Sequence, residues 1–473
     1  MLFISDEFFV FLIVVLTTMA SVRHPDARRW LLLGFCIWFY ASWSLGFLGL
    51  LFVNIGIDYV IALRLCEETR PKVRRVLVTV SVAMNLGMLG FFKYLGFGAS
   101  ALNQGLTLLG TGLHVPVPHL VLPLGISFYV FQAISYTVDV YRGHLKPTRS
   151  IREFAIFIMF FPHLVSGPIV RAAEILPQLD RLRFPATIAD VMQGARDFVL
   201  GFGRKVVFAD TFAGLADTTF NHPQDYGSAD LCIGLVAYSL QIYFDFSGYS
   251  QMAVGLARMF GIGFPDNFDA PYISRSLQEF WRRWHISLSR FLRDYLYIPL
   301  GGSRHGDART LFALSATMLI GGFWHGANWT FIVWGALHGF GQAIAWYYRE
   351  RLRTPTQARF WESAAGNALG WLMTMAVVNL AWIYFRAATL DGANQYLQRM
   401  VSGAIGGQQL AVSPTQAGLF AVTIALHLVA YFKPKWTVPW PHSPLAQGLA
   451  VGMAYVVLVA MKQADAPFIY FNF

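Results

Sequence analysis

The chain has 473 residues, of which 56% are hydrophobic and only 13% charged, with a formal net charge of +10. Soluble globular chains carry about 25% charged residues. This composition therefore excludes a fully water-facing surface and points to a bilayer, where helices satisfy their own backbone hydrogen bonds. The positive excess then reads as a positive-inside bias and as affinity for anionic lipid or phosphate-bearing ligands, with no nucleic acid among the expected partners.

Asp6 and Glu7 open the chain and no basic residue precedes the first apolar run. Phe8 to Ala20 is therefore read as a membrane segment and not as a cleaved leader. A crossing takes about 20 apolar residues. Candidate segments begin near Phe8, Trp30, Phe47, Val76, Leu120, Phe154, Phe198, Leu231, Leu311, Phe331, Leu369, Ala417 and Leu449. The expected fold class is all-α: a polytopic integral membrane protein with about eleven transmembrane helices, plus re-entrant and interfacial helices. No repeat or long linker divides the chain, so a single domain over residues 1–473 is expected. Arg23, Arg28 and Arg29, and the stretch from Arg64 to Arg75, are expected on the cytoplasmic side, with the N-terminus outside. Cys36, Cys66 and Cys232 lie far apart, offer no zinc or disulfide pattern, and read as membrane-packing residues. No metal site is expected.

Two breaks in apolar character follow. Pro162-His163-Leu164-Val165-Ser166-Gly167-Pro168 suits a re-entrant turn, which is tolerated where it lines a protein-enclosed cavity, with His163 in a structural role. Tyr243-Phe244-Asp245-Phe246-Ser247-Gly248-Tyr249 places an acid inside an apolar helix, where Asp245 requires an arginine or hydroxyl partner.

Residues Asp266 to Arg309 contain Arg275, Arg282, Arg283, Arg290, Arg293, Arg304 and Arg309. The region is too charged to span and too aromatic for a solvated loop. On one helix over 281–295, at about 100° per residue, Trp281, Trp284, Leu288, Phe291, Leu292 and Tyr295 form one stripe. Arg282, Arg283, Arg290 and Arg293 fall opposite, and His285 sits at the stripe's edge. Pro299, Gly301 and Gly302 end the helix. The arginines suit lipid phosphates at an interface. They equally suit the phosphates of a nucleotide-like donor such as coenzyme A.

The next apolar stretch carries Gly322-Phe323-Trp324-His325-Gly326-Ala327-Asn328. An ionisable residue at membrane depth is a functional candidate by default. Gly322 and Gly326 form a GxxxG pair that lets another backbone approach, and Asn328 is expected on the face of His325. His338 follows thirteen residues later, about 220° round a continuous helix, in a GxxHG better explained by packing. No GxSxG or HExxH occurs. A buried histidine can act as general base for an acceptor hydroxyl attacking a thioester.

The stretches QIYFDFSGYSQMAVGLARMFGI, FWRRWHISLSRFLRDYLYIPLGGSR, GGFWHGANWTFIVWGALHG, LPLGISFYVFQAISYTVDVYRG, FFPHLVSGPIVR and the terminal APFIYFNF resemble the membrane-bound O-acyltransferase family, in its bacterial branch typified by alginate O-acetylation. The resemblance runs from about Leu122 to Phe340, plus the last residues. It implies a helical fold with a central tunnel, a hallmark catalytic histidine at His325 and a second catalytic position at His285. It also implies acetyl-CoA or a carrier-bound acyl group as cytoplasmic donor, with no permanently bound cofactor. A periplasmic or extracellular acetyltransferase partner, polysaccharide machinery, membrane lipid and a multi-pass place in the bacterial inner membrane complete the expectation. Arg282, Arg283, Arg290, Arg293, Asn328, Trp324 and Asp245 are the expected substrate-binding residues. Where the family motif ends in Asp, this chain has Gln251, which leaves Asp245 as the acid of that motif.

The leading reading is O-acetylation of an exopolysaccharide such as alginate or cellulose. D-alanyl transfer to teichoic acid is the alternative within the family. A transporter without chemistry is the third reading, and it would call for broken helices repeated in two symmetric halves, whereas the sequence shows no repeat.

Overall fold

The computed structural model describes residues 1–183, 186–432, 440–441, 443–462 and 468–469. Among them the architecture is all-α; the pairing of Tyr226 with Gln408 is an isolated bridge. The chain forms two compact units: Met1–Val199 with Ser250–Pro265, and Leu200–Tyr249 with Asp266–Phe473.

The first unit begins with α1 (Asp6–Ser21), α2 (Pro25–Ala41) and α3 (Leu45–Glu67). His24 and Ser44 cap the second and third of these at their N-termini, and Pro25 takes the first helical position, where its missing N–H costs nothing. α4 (Pro71–Leu89) runs through a π-turn into α5 (Leu95–Leu108). Then come α6 (Ile126–Arg142), α7 (Ile151–Met159), α8 (Phe161–Leu164) and α9 (Ala172–Ile175), followed by α10 (Ile188–Gly203), most of which belongs here. Phe8, Phe11, Phe39 and Phe161 form an aromatic core, with Phe11 and Phe161 centroids 5.3 Å apart.

The expected break around Pro162 is present. α7 ends at Phe160, and α8 is a single short turn. His163 is buried, with Nδ1 3.1 Å from Gln132 Nε2 on α6. Gly125, at φ +69°, is where α6 meets this turn; a Cβ there would strike the carbonyl oxygen of Leu164.

The second unit holds α11 (Asp210–Asn221), the first two thirds of α12 (Ser228–Met259), α13 (Leu277–Arg283), α14 (Ile286–Leu292), α15 (Asp307–His325) and α16 (Trp329–Tyr347). It closes with α17 (Pro355–Glu362), α18 (Ala364–Arg386), α19 (Leu390–Val401), α20 (Pro414–Phe432) and α21 (Pro444–Met461). Its core is built on Trp281, Trp284, Trp334, Trp382, Phe280 and Phe385.

Six described helices are long and apolar enough to cross a membrane: Leu45–Glu67, Pro71–Leu108, Ser228–Met259, Ala364–Arg386, Pro414–Phe432 and Pro444–Met461. Of the cysteines, Cys36 is buried, whereas Cys66 and Cys232 lie on the exposed sides of their helices, so the packing role fits the first alone.

α15 and α16 pack as a tight hairpin. A Cβ on Gly322 would lie 2.9 Å from Gly335 Cα, and one on Gly335 would lie 2.6 Å from the Met318 carbonyl oxygen. Glycine at these two positions permits the backbones to touch. The approach expected of the Gly322–Gly326 pair is therefore made by Gly322. Gly326 already lies beyond the helix, against the Phe331 ring.

Candidate active site

The arginine-rich region is not one helix. α13 stops at Arg283, Trp284 is extended, and His285 takes the left-handed conformation with φ +43° and ψ +55° before α14 begins. A non-glycine residue in that region is uncommon, and such strain collects at functional sites. Period counting assumed a continuous helix, so the single arginine face over 281–295 is corrected to two short helices and a π-turn over Arg293–Tyr297. The apolar stripe survives the break: Trp281, Trp284, Leu288, Phe291 and Leu292 are all buried, and Tyr295 partly so. Glycines with positive φ at Gly301 and Gly302 end the segment where the sequence placed its stop.

The break turns the His285 ring inward. It is 0% exposed, edge-on to Phe246 at 4.6 Å between centroids. Its Nδ1 lies 3.2 Å from Asn267 Oδ1. The same oxygen accepts from the Ser287 backbone N–H (3.1 Å) and from the Ser287 hydroxyl (2.9 Å). A backbone N–H can only donate, so that amide atom is the acceptor and His285 Nδ1 carries the proton. Nε2 is then the lone-pair nitrogen. Burial pushes this imidazole down to about 3, so it stays neutral throughout the physiological range. Asn267 was missed by the sequence reading, because a lone asparagine eighteen residues from its partner carries no periodic signal.

His325 ends α15 and is 4% exposed. It is walled by Trp324, Trp334 and Phe385, at centroid distances of 4.9, 5.0 and 5.3 Å. Trp324 also neighbours His285, at 6.5 Å between centroids, so one indole is shared by the surroundings of both histidines. The folding-back of α16 brings His338 into the same neighbourhood, with Trp334 4.9 Å away. Trp281 Nε1 donates to His338 Nδ1 at 3.3 Å, which supports the packing reading of this third histidine.

Asn328 does not share a helix face with His325, because α15 has ended. It caps α16: Oδ1 accepts from the Thr330 N–H at 3.1 Å, and Nδ2 donates to the Ala388 carbonyl at 2.8 Å. That is a structural duty, made from the start of the next helix and not from the face of His325. Asp245 has found its partner in a lysine instead of an arginine or hydroxyl. Lys205 Nζ donates to its Oδ1 at 2.7 Å, and the Ile469 N–H to its Oδ2 at 2.9 Å. Phe468 and Ile469 are the described part of the terminal APFIYFNF; its other residues lie outside the described set.

The four arginines divide. Arg283 is held by Asp269 (3.0 Å) and Glu279 (3.1 Å), and Arg293 by Asp294 (2.6 Å). Arg282 and Arg290 are exposed and make no ion pair among the described residues. Arg282 lines a cleft of about 490 Å³ with Arg275, Arg283, Asp269 and Glu279.

The sequence matches the MBOAT, membrane-bound O-acyltransferase family, over residues 36–386. The chain belongs to the membrane-bound O-acyltransferase family. It is 41% identical over 432 residues to a probable alginate O-acetylase of Azotobacter vinelandii, covering 91% of this chain and 83% of that protein. It is 36% identical to a peptidoglycan O-acetyltransferase of Helicobacter pylori, covering 88% and 82%. A teichoic acid D-alanyltransferase of Bacillus subtilis is 29% identical over 236 residues, covering 48% and 59%. This member of the family is accordingly a multi-pass membrane acyltransferase, and the histidine cluster of its second unit is the candidate centre for the transfer.

The tautomer of His285 has a testable consequence. Asn267→Asp places a negative charge beside Nδ1–H and lifts the imidazole toward its ordinary range. Protonation of Nε2 removes its acceptor, so activity of the variant should fall on acidification across pH 7 to 5, where His285 of the wild-type enzyme stays neutral. Pre-steady-state transfer measured across that range reads the added acid limb. Superimposable profiles for the two proteins would mean that His285 Nε2 takes no part.

Proposed function

We propose that this acyltransferase moves an acetyl group from cytoplasmic acetyl-CoA toward O-acetylation of an exopolysaccharide, alginate or a similar polymer, from a place in the bacterial inner membrane. The observation that carries the reading is that His325 and His285 are both buried beside the same indole, Trp324, inside an aromatic enclosure. His325 takes the proton of the acceptor hydroxyl. The oxygen attacks the thioester carbonyl, the C–O bond forms and the C–S bond breaks. The proton then passes from His325 to the departing thiolate, so no net proton is consumed. His285 accepts a hydrogen bond at Nε2 and orients a donor group of one substrate. With its proton on Nδ1, it is unsuited to donate to an oxyanion.

The identities of the alginate and peptidoglycan acetyltransferases support acetyl transfer ahead of D-alanyl transfer, because the D-alanyltransferase match is weaker and spans half the chain. A periplasmic or extracellular acetyltransferase that completes transfer to the polymer is the partner this reading requires. The test is consumption of labelled acetyl-CoA by purified protein in membranes, compared with consumption of a D-alanyl carrier. Use of the D-alanyl carrier alone would overturn the acetyl reading.

For the donor phosphates, Arg282 is the best-placed guanidinium, because its neighbours in the cleft are already ion-paired. Arg282→Ala should raise KM for acetyl-CoA several-fold, with kcat changed less. An unchanged KM would assign Arg282, like exposed Arg290, to lipid headgroups.

A further inference from the structure

The first unit contains a charged group that the transfer chemistry does not use. Asp58 lies near the middle of α3, one of the six helices long enough to span, and is 0% exposed. Its carboxylate receives the Ser81 hydroxyl at 2.5 Å and the Asn85 amide at 2.8 Å, both from α4. The Asn54 amide, one turn back on α3, lies 3.4 Å away. Thr137 of α6 faces the same group. All of these are neutral. No ion pair reaches Asp58 among the described residues, and none of the groups that meet it from α3, α4 or α6 titrates. Of the charged residues on neighbouring elements, Arg74 donates to the carbonyls of Leu65 and Tyr141, Glu153 of α7 meets Arg29 at 3.4 Å, and Asp139 is a second buried acid on α6.

Interhelical hydrogen bonding alone would be served by an asparagine at this position. A carboxylate adds a full negative charge at membrane depth, which persists only when compensated. A second observation points the same way. Asn54 is 3% exposed, and its Oδ1 has no hydrogen-bond partner among the described residues. Asn54 and Asn85 also touch at 3.0 Å, so a rotation of either amide exchanges donor for acceptor within the cluster. The site thus collects carboxylate, amide and hydroxyl oxygens around one carboxylate that meets neutral donors and no cation among the described residues.

We propose that Asp58, Asn54, Ser81 and Asn85 form a binding site for a single small monovalent cation, either a proton or a sodium ion. The shared chemistry is one unit of positive charge placed on the Asp58 carboxylate, tying α3 to α4 and α6.

The experiment uses the full-length protein in detergent and reads its Tm in two arms. One arm steps the pH in sodium-free choline buffer. The other holds pH fixed and replaces choline by sodium. Wild-type protein should respond in one arm, by roughly 2–4 °C, and Asp58→Asn should abolish that response. A sodium response at fixed pH identifies the alkali ion. A pH response without one identifies the proton, and the infrared carbonyl band of a protonated carboxyl should then be lost in Asp58→Asn. If Asp58→Asn does not fold, Ser81→Ala keeps the charge and removes a ligand, and it should move the sodium concentration or pH of half effect. Equal responses in wild type and Asp58→Asn, no response of the wild type in either arm, or an unmoved midpoint in Ser81→Ala overturns the proposal.

Discussion

His325→Ala should abolish acetyl transfer while leaving the protein folded and inserted. A general base contributes about 10²–10⁴-fold, and the walls around His325 are Trp324, Trp334 and Phe385, none of which can take a proton. The side chain is buried, so the substitution leaves a small cavity, and melting of each variant must be followed beside activity. His285→Ala should also cut transfer strongly, since it removes the Nε2 acceptor and the partner of Asn267. His338→Ala should act differently. It strips the acceptor from Trp281 Nε1 inside the core, so its loss should appear as lowered Tm with a milder effect on transfer. The measurement is transfer of labelled acetyl in membranes. A folded His325→Ala protein with full activity would leave the mechanism without its base.

Much of this fold was legible in the sequence where the signal was cumulative. The apolar segments named from composition all begin on helices except the one at Leu120, where α6 starts at Ile126 after a left-handed Gly125, and the one begun at Phe154 is cut short where α7 ends at Met159. Of the glycines that close the α15–α16 hairpin, Gly322 was visible as part of a spacing, and the backbone that approaches it is that of Gly335. What failed was local. A 100° period cannot detect a single residue in the left-handed region, so His285 was placed on a helix that it interrupts. The same assumption carried Asn328 onto the face of His325, whereas Gly326 ends the helix and Asn328 starts the next one. Asp245 was correctly marked as needing a partner. Lys205 could not be found, because it lies forty residues away in a π-turn, Arg204–Ala209, which shifts the helical phase.

That pair carries the second large expected effect. Lys205 and Asp245 are 3% and 2% exposed at the side chain, and Lys205 also meets Asp210 at 2.8 Å. Gly248 allows the approach: a Cβ there would lie 2.7 Å from the Gly201 carbonyl and 3.3 Å from Lys205 N. Removing one partner of a buried pair strands the other charge, at a cost of roughly 3–5 kcal/mol. Lys205→Met should therefore lower Tm sharply, because the buried Asp245 carboxyl loses its cation and must either stay charged beside the Ile469 N–H or take up a proton, and both cost stability. Asp245→Asn in the same chain removes that charge and keeps an acceptor for Ile469, so the double variant should regain most of the loss. Asp210 sits at the more exposed end of the cluster, 19% accessible at the side chain, where water can solvate what Lys205 no longer pairs. A double-mutant cycle on Tm and denaturant midpoint isolates the coupling. If the two substitutions simply add, or if Lys205→Met melts with the wild type, the pair is not what holds this part of the second unit together.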